Sequence, residues 1–202
     1  MRRKHSEVTD PAKIAEILSS AVIGRLGTLG ADGYPYITPV NFVYYRGNIY
    51  FHCAPAGEKL DNIARNSKVC FQVDVPLAYL DSGYGLSKSG GNMCNLHQFY
   101  HCVIIRGEAG IVPDGPLKIE ALNELIAQHE NRRDFEKVHD GLPAYQACKV
   151  VEIKPGRITA KSDLHQKKSA GERLAMAKYF KAANSPKGIE TIRAFGFDPE
   201  EI

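Results

Sequence analysis

The chain has 202 residues, of which 44% are hydrophobic and 24% are charged. These proportions are typical of a soluble globular protein and exclude an intrinsically disordered one. The net charge of +3 is too small to indicate a nucleic-acid partner. The length lies at the upper end of one ordinary domain, so we expect a single hydrophobic core.

The cysteines and the N-terminus indicate a cytoplasmic protein. The five cysteines are an odd number and include no CxxC pair. The basic start at residues 2–4 is not followed by the apolar stretch of a secretory signal. No run approaches the roughly 18 apolar residues of a membrane helix. We therefore expect free thiols, a reducing compartment and no membrane partner.

The first predicted elements are a helix and a strand. Asp10 suits a helix N-cap and Pro11 suits the first helical position, and apolar residues follow at helical spacing. These signals predict a helix over residues 11–20. A strand over 21–28 follows and ends at the turn signal of residues 30–33.

A hairpin comes next. Residues 34–45 are rich in aromatic and β-branched types and predict one long strand. Pro39 cannot donate a main-chain hydrogen bond, so this strand is expected to be an edge strand or to carry a bulge. A tight turn at residues 46–48 leads into a second strand over 49–53.

The rest of the chain predicts further short strands with inserted helices. The predicted elements are a helix that starts near Glu58, a strand over 68–75, a glycine-containing mobile loop over 81–95, a strand over 99–112, a helix from Pro116, a strand pair over 145–153 and 157–161 that turns at 154–156, and a polar helical tail over 163–202. This order is typical of a small barrel with helices packed on its ends. The absence of a GxGxxG motif after a strand argues against a Rossmann site.

The loop before Glu58 and the start of its helix form a candidate anion site. Free amides at a helix start carry partial positive charge, Gly57 allows close backbone approach, and Lys59 adds a full charge. A phosphate bound there could have the rest of its molecule run back along the hairpin. Spacing alone favours the simpler interpretation, in which Lys59 is an ordinary surface lysine on a helix.

Several short motifs follow one another in the chain, and their order is more specific than any one of them. They are Gly33-Tyr34-Pro35, Ile37 to Phe42, Gly47 to His52, Gly57 to Asp61, Val69-Cys70-Phe71 and Tyr100 to Ala109. This set resembles the flavin-binding half of the pyridoxamine 5′-phosphate oxidase-like superfamily, and it is most similar to the 5-nitroimidazole resistance (nitroreductase-like) branch. The resemblance spans roughly residues 1–161.

The resemblance implies a mainly β fold with helices, a six-stranded antiparallel split β-barrel of the FMN-binding type. It implies an FMN-binding domain over 1–161, which leaves 162–202 as a C-terminal helical extension. It also implies a homodimer that holds FMN in each of two clefts at the interface.

The same resemblance implies which residues would contact FMN. The strand over 36–41 would line the isoalloxazine ring, with Phe51 and His52 on the paired strand and Lys59 at the phosphate. The full set of implied contacts is Tyr36, Thr38, Pro39, Val40, Asn41, Phe51, His52, Gly57, Glu58, Lys59, Tyr100 and Cys102.

The sequence departs from the superfamily at three places. Glu58 stands where oxidases of the family carry arginine beside the lysine of the phosphate loop. Residues 36–39 replace the arginine-rich strand of pyridoxamine phosphate oxidases, and Cys102 stands where the branch often has serine. Their C-terminal substrate-binding signature is also not visible, so oxidation of the vitamin is not expected.

The sequence also suggests two other kinds of site, a metal site and a haem site. Cys94, His97 and His101 form a C-x2-H-x3-H pattern followed by Cys102, which resembles metal-ligand spacing. A closed site needs four ligands, and neighbouring residues on a strand face opposite sides, so we predict no metal site. A histidine of this cluster could instead ligate haem, as in some split-barrel relatives.

The function that these observations favour is an FMN-dependent oxidoreductase. It would pass electrons from NAD(P)H through FMN to a small planar acceptor such as a nitroaromatic, with His52 as the candidate proton donor. The alternative is a non-catalytic flavin or haem binder that acts as a carrier or sensor.

Overall fold

The computed structural model describes residues 3–89, 96–132 and 134–202. The chain divides into two compact units. The barrel unit contains residues 10–73 and 103–159, and the terminal unit contains the described parts of 1–9, 74–102 and 160–202. No helix in the described ranges combines the length and the apolar character that crossing a bilayer requires.

Within the described residues, eight strands and seven α-helices follow a short 3-10 helix at Lys4–Ser6. The strands are β1 (Glu7–Val8), β2 (Ile23–Leu29), β3 (Pro35–Asn41), β4 (Val43–Tyr45), β5 (Asn48–Cys53), β6 (Lys68–Leu80), β7 (His97–Ile111) and β8 (Lys149–Asp163). The helices are α1 (Pro11–Ser20), α2 (Glu58–Arg65), α3 (Ser82–Ser89), α4 (Pro116–His129), α5 (Pro143–Gln146), α6 (Ala170–Ala182) and α7 (Gly188–Ala194).

The strands form one sheet that curls into a split β-barrel. Its order is β3-β2-β6-β7-β8-β5-β4, and β1 pairs antiparallel with β8. The two ends of this order, β3 and β4, are consecutive in the chain and are separated only by Phe42. Because one residue joins the two end strands, the sheet must bend round until they meet. The mainly β fold with helices predicted from the sequence is therefore confirmed, with more strands than six.

The early elements form where the sequence predicted them. Asp10 caps α1 by accepting a hydrogen bond from the amide of Ala12 at 3.0 Å, and Pro11 is its first residue. β4 and β5 form the predicted hairpin, with Tyr45 opposite Asn48. The two residues between them, Arg46 and Gly47, both have positive φ, which suits a two-residue hairpin turn.

The predicted strand over 34–45 is broken at Phe42. This side chain is fully buried, and its ring packs edge-on against Phe71 with centroids 5.0 Å apart. The imidazole Nε2 of His129 donates a hydrogen bond to the Phe42 carbonyl at 2.9 Å. These contacts fix Phe42 as the corner between two strands. The residue types of 34–45 indicate an extended chain, but they do not show where one strand ends and the next begins. β3 lies at one end of the sheet, which confirms the edge position predicted from Pro39.

The sequence predicted a loop over 81–95. This prediction is wrong for residues 82–89, which form α3. Asp81 accepts a hydrogen bond from the amide of Gly83 at 2.9 Å, and the hydroxyl of Tyr179 donates to the same carboxylate. The Tyr84 ring packs edge-on against the Tyr179 ring. This support comes from a distant part of the chain and offsets the low helix propensity of glycine. Residues 90–95 lie outside the described ranges.

The predicted turn at 154–156 is also wrong, because β8 runs unbroken from Lys149 to Asp163. A Cβ placed on Gly107 of β7 would lie 2.2 Å from the Lys154 carbonyl oxygen. The missing side chain lets the two strands approach closely at the point where Pro155 and Gly156 suggested a reversal. The start of the predicted strand over 145–153 is wrong as well, since Pro143–Gln146 form α5.

Gly107 and Gly110 of β7 offer a matched test of this close approach. Gly107→Ala is expected to lower the free energy of unfolding by about 1–3 kcal/mol, because the new methyl group meets the Lys154 carbonyl. Gly110→Ala meets no atom within 4 Å and is expected to be neutral or to stabilise by about 0.5–1 kcal/mol. Urea denaturation of both variants measures the difference. Equal stability of the two would contradict the close approach.

Candidate functional site

The edge strand β3 presents two different faces. Pro35, Ile37, Pro39 and Asn41 are exposed, while the alternate residues Tyr36, Thr38 and Val40 are half-buried. Thr38 and Asn41 therefore lie on opposite faces of the strand. A flat ligand lying against one face reaches the side chain of only one of these two residues and the main chain of the other.

On β5, His52 is the one exposed residue, because Ile49 to Phe51 and Cys53 are buried. Phe51 is 1% exposed and belongs to the core, so its main chain is what a ligand can reach. His52 is paired with Val150 of β8, and its side chain lies at the lip of a cavity. The neighbouring Cys53 faces the other way, as strand alternation requires.

The cavity beside His52 is apolar and has a volume of about 450 Å³. Helix α4 supplies Leu122, Leu125 and Ile126 to its wall. The segment around α5 supplies Tyr145 and other small or apolar residues: Leu142, Ala144, Ala147 and Cys148. A cavity with apolar walls and one imidazole at its lip suits a small flat molecule that needs a proton donor or a hydrogen bond at one end.

A buried lysine fixes the wall of this cavity. Lys118 is 1% exposed, and its ammonium donates hydrogen bonds to the carbonyls of Tyr145 at 2.8 Å and Cys148 at 2.9 Å. It also pairs with Asp114 at 2.9 Å and lies over the Tyr145 ring. This hydrogen bond to Lys118 lowers the pKa of the Asp114 carboxyl. Nothing in the sequence around Lys118 marked it as buried.

The start of α2 has the features of an anion site. Gly57 is the N-cap, with φ of 140°, and no side chain caps the helix. The Gly57 carbonyl accepts the amides of Leu60 and Asp61, which leaves the amides at the very start of the helix without helical partners. Gly57 and Glu58 are exposed, and Lys59 is half-buried.

Lys59 is also within electrostatic reach of β5. Burial raises the pKa of the Cys53 thiol, and the positive charge of Lys59 acts against that rise. Because α2 begins after a loop of only four residues, its cation lies near the end of the strand that carries His52. The resemblance assigns both Lys59 and His52 to FMN contacts. In the fold, His52 lies near the C-terminal end of β5 and Lys59 lies in the helix that follows it.

A second, larger cavity lies on the outer face of the sheet in the barrel unit and was not predicted. Its volume is about 710 Å³. Its floor contains Ile37, Gly27 and Cys70, which face one another across β3, β2 and β6. Four basic residues also line it: Arg25, Lys68, Arg106 and Arg157. The outward alternation of Arg25, Gly27 and Leu29 on β2 was the signal in the sequence that could have revealed it.

The remaining predicted residues lie in the terminal unit. Tyr100 and Cys102 are half-buried neighbours on one face of β7. The ammonium of Lys161 donates a hydrogen bond to the Tyr100 hydroxyl. His101 is buried on the opposite face, and its Nδ1 lies 2.7 Å from the Ser162 hydroxyl. His101 and Cys102 therefore face opposite sides, as predicted, and Cys94 of the C-x2-H-x3-H pattern lies outside the described residues.

Fold and site together define the class: a split β-barrel with an exposed edge strand, an uncapped helix start that carries a lysine, and an apolar cavity. The family model described as pyridoxamine 5′-phosphate oxidase matches residues 10–162, well over half of the chain. The chain therefore belongs to the pyridoxamine 5′-phosphate oxidase family. No curated protein matches the sequence.

Solved structures with the same fold have low sequence identity to this chain. A protein from Bacteroides thetaiotaomicron, described provisionally as a 5-nitroimidazole antibiotic resistance protein, is 22% identical, with TM-score 0.62, over 77% of this chain and 86% of its own. The flavocytochrome Anf3 from Azotobacter vinelandii is 18% identical, with TM-score 0.65, over 81% and 72%. The FAD and heme binding protein from Mycobacterium smegmatis is 14% identical, with TM-score 0.66, over 85% and 80%. At these identities the similarity shows the fold alone.

The wall of the apolar cavity gives a stability prediction. Lys118→Met keeps most of the side-chain packing but leaves the carbonyls of Tyr145 and Cys148 unpaired, so we expect a loss of about 2–4 kcal/mol in the free energy of unfolding. Lys137→Met, at an exposed lysine, should change it by less than about 0.5 kcal/mol. Chemical denaturation measures both. A stable Lys118→Met protein would show that Lys118 does not hold this wall.

Proposed function

We propose that the protein is an FMN-dependent oxidoreductase that reduces a small planar acceptor, such as a nitroaromatic, with electrons from NAD(P)H. The observation that carries the proposal is the uncapped start of α2. There, exposed amides at Gly57 and Glu58 and the cation of Lys59 follow directly after the strand that bears His52 in the chain. Membership in the pyridoxamine 5′-phosphate oxidase family supports a flavin as the ligand of this anion site.

The residues present fit such a cofactor. The main chain around Gly57 and Glu58 and the ammonium of Lys59 would hold the phosphate. The ring system would lie along β3, against Tyr36, Thr38, Pro39, Val40 or Asn41 according to the face used, and along the main chain of Phe51. A Cβ at Gly57 would meet nothing within 4 Å, so the space in front of the helix start is open.

When bound, FMN would supply the two-electron transfer, and the protein would supply position and protons. The exposed imidazole of His52 can hold a proton at either ring nitrogen and deliver it to an acceptor that enters the adjacent cavity. The apolar walls of that cavity would exclude water and favour a flat, weakly polar molecule. The 5-nitroimidazole description of one structural neighbour supports a nitroaromatic acceptor.

A second candidate function is a non-catalytic flavin or haem carrier or sensor. Two structural neighbours favour it, since one is described as a flavocytochrome and the other as a FAD and heme binding protein. On this alternative the same fold holds a coloured cofactor but has no acceptor turnover.

We also propose that two copies pair through the outer face of the sheet, as a cytoplasmic homodimer. Ile23, Leu29 and Ile37 on this face are 47%, 43% and 66% exposed, a degree that is unusual for neighbouring large apolar side chains on one face. The described cysteines are all free, which suits a reducing compartment. Ile37→Glu is expected to convert the dimer to a monomer in sedimentation experiments.

The absorption spectrum of the freshly purified protein tests the cofactor. A flavin spectrum, with FMN released on acid extraction, supports the proposal. Release of FAD, or a haem band in the spectrum, would show that the cofactor is not FMN. Addition of NADH or NADPH with a nitroimidazole then separates the two functions. Bleaching of the flavin with acceptor turnover supports the enzyme, and stable colour without turnover supports the carrier.

Lys59→Ala tests the phosphate assignment. Removal of this cation is expected to weaken FMN binding by about tenfold or more, because a charge-assisted hydrogen bond contributes roughly 1.5–3 kcal/mol. Lys13→Ala, at a surface lysine paired with Glu16, should leave affinity unchanged. Fluorescence titration of the apoprotein with FMN measures both. Equal affinity of the two variants for FMN would show that the phosphate does not bind at this helix start.

His52→Gln tests the proton donor. We expect kcat for the acceptor to fall by about 100-fold, because general acid catalysis contributes roughly 10²–10⁴. His139→Gln, at an exposed histidine beside Glu136, serves as the matched control. Steady-state assays on the flavin-loaded proteins measure this effect. Unchanged turnover in His52→Gln would show that solvent, and not His52, donates the proton to the acceptor.

A further inference from the structure

Three side chains of the terminal unit converge outside the proposed flavin site. His97 is the first residue of β7, Asp163 is the last residue of β8, and His165 follows two residues later. One ligand atom from each lies within 4.8 Å of the other two. The sequence pattern had offered His97 with Cys94 and His101, so the distant part of this cluster was missed.

His97 has a buried ring nitrogen that faces the carboxylate of Asp163. Its Nε2 lies 3.5 Å from Oδ1 of Asp163 and has no hydrogen-bond partner among the described residues. The ring is held from two sides, since it stacks on His165 with centroids 4.0 Å apart and packs edge-on against Phe99. At 3.5 Å the contact with Asp163 is longer than an ordinary hydrogen bond, so this nitrogen has room for a closer partner.

Asp163 is oriented so that one oxygen is used and the other is available. Its Oδ2 accepts a hydrogen bond from the ammonium of Lys161 at 2.8 Å, with Arg3 farther away at 3.7 Å. Its Oδ1 faces Nε2 of His97. Metal-bound carboxylates commonly show this arrangement, with one oxygen on the ion and the other held by a neighbouring donor.

His165 adopts a main-chain conformation that is rare for its residue type. Its φ is 53°, in the left-handed region that favours glycine and, among other residues, asparagine. Such a conformation persists only where surrounding contacts stabilise it. Here it turns the chain directly after β8 and places the His165 ring against that of His97.

We propose that His97, Asp163 and His165 form a binding site for a divalent transition-metal ion of the zinc type. The ligand atoms are Nε2 of His97, Oδ1 of Asp163 and one imidazole nitrogen of His165. Imidazole and carboxylate are the ligands that such ions take in sites with three protein ligands. The inference is independent of the flavin proposal, because it concerns other residues.

The distances fit a small inward movement of the side chains. Bonds of about 2.0–2.1 Å in tetrahedral geometry place two ligand atoms about 3.3 Å apart. The 3.5 Å between His97 and Asp163 is already close to that value, so His165 is the ligand that must move.

The fourth coordination position would face a cavity of about 400 Å³. Arg3, His5, Lys167 and Lys168 lie around this cavity. These groups weaken the attraction for a cation and favour an anion as the fourth ligand. The site is therefore suited to a metal ion that carries water or a small anion, such as a carboxylate, and not to a closed four-ligand structural zinc.

Titration of the full-length protein with Co²⁺, after removal of metals by a chelator, tests the site. We expect one equivalent to bind and to produce the visible absorption of cobalt with nitrogen and oxygen ligands. Zn²⁺ should displace it and abolish the colour. Isothermal titration with Zn²⁺ measures the stoichiometry independently of any flavin signal.

Two ligand variants and one control make the assignment specific. Asp163→Asn is nearly isosteric, and His165→Asn introduces a residue that tolerates positive φ, so both are expected to stay folded, as circular dichroism will check. Each should weaken Co²⁺ binding by at least about tenfold, on the scale of lost metal-site interactions. His139→Asn, the same substitution at an exposed histidine, should not change it.

Four results would overturn the site, and the first three concern Co²⁺. They are the absence of Co²⁺ binding to the folded protein, equal affinity in His165→Asn and His139→Asn, and a cobalt spectrum with the intense charge-transfer band of thiolate ligands. The last would place the ion on cysteines. Uptake of haem but not of Co²⁺, with the haem band lost in His165→Asn, would assign the same histidines to haem and would also reject the metal-ion site.

Discussion

The corner at Phe42 is the constraint on which the barrel depends. This one residue joins the two end strands of the sheet, and its buried ring packs against Phe71. A Cβ on Gly24 would lie 2.0 Å from the Phe71 ring, so the second strand must carry glycine for that ring to occupy its place. The bend that brings the two end strands together lies at this packed residue.

The proposed flavin site depends on the same closure. β3 and β5 belong to opposite ends of the strand order, and the ring system could run along both only because the sheet bends until those ends meet. The phosphate end is set by a different element, since four residues separate the end of β5 from the start of α2. A short loop thus fixes the distance between the anion site and the strand that bears His52.

Local signals in the sequence predicted much of this and failed where distant contacts decide. The cap at Asp10, the turn at Arg46-Gly47 and the helix from Glu58 depend on neighbouring residues and were correctly predicted. The helix after Asp81 depends on Tyr179, and the unbroken β8 depends on Gly107 of another strand. Lys118 and the pairing of His97 with Asp163 are likewise products of tertiary contact, which a linear pattern does not contain.

The two prolines of β3 have a consequence for solubility. An exposed edge strand offers unpaired main-chain groups to which another chain could add a strand, a common route to aggregation. Pro35 and Pro39 each lack an amide hydrogen, and proline is tolerated on an edge strand where that missing donor faces outward. A foreign strand would therefore find an interrupted row of donors along β3. The edge can stay open to a small molecule without also inviting fibril-like association.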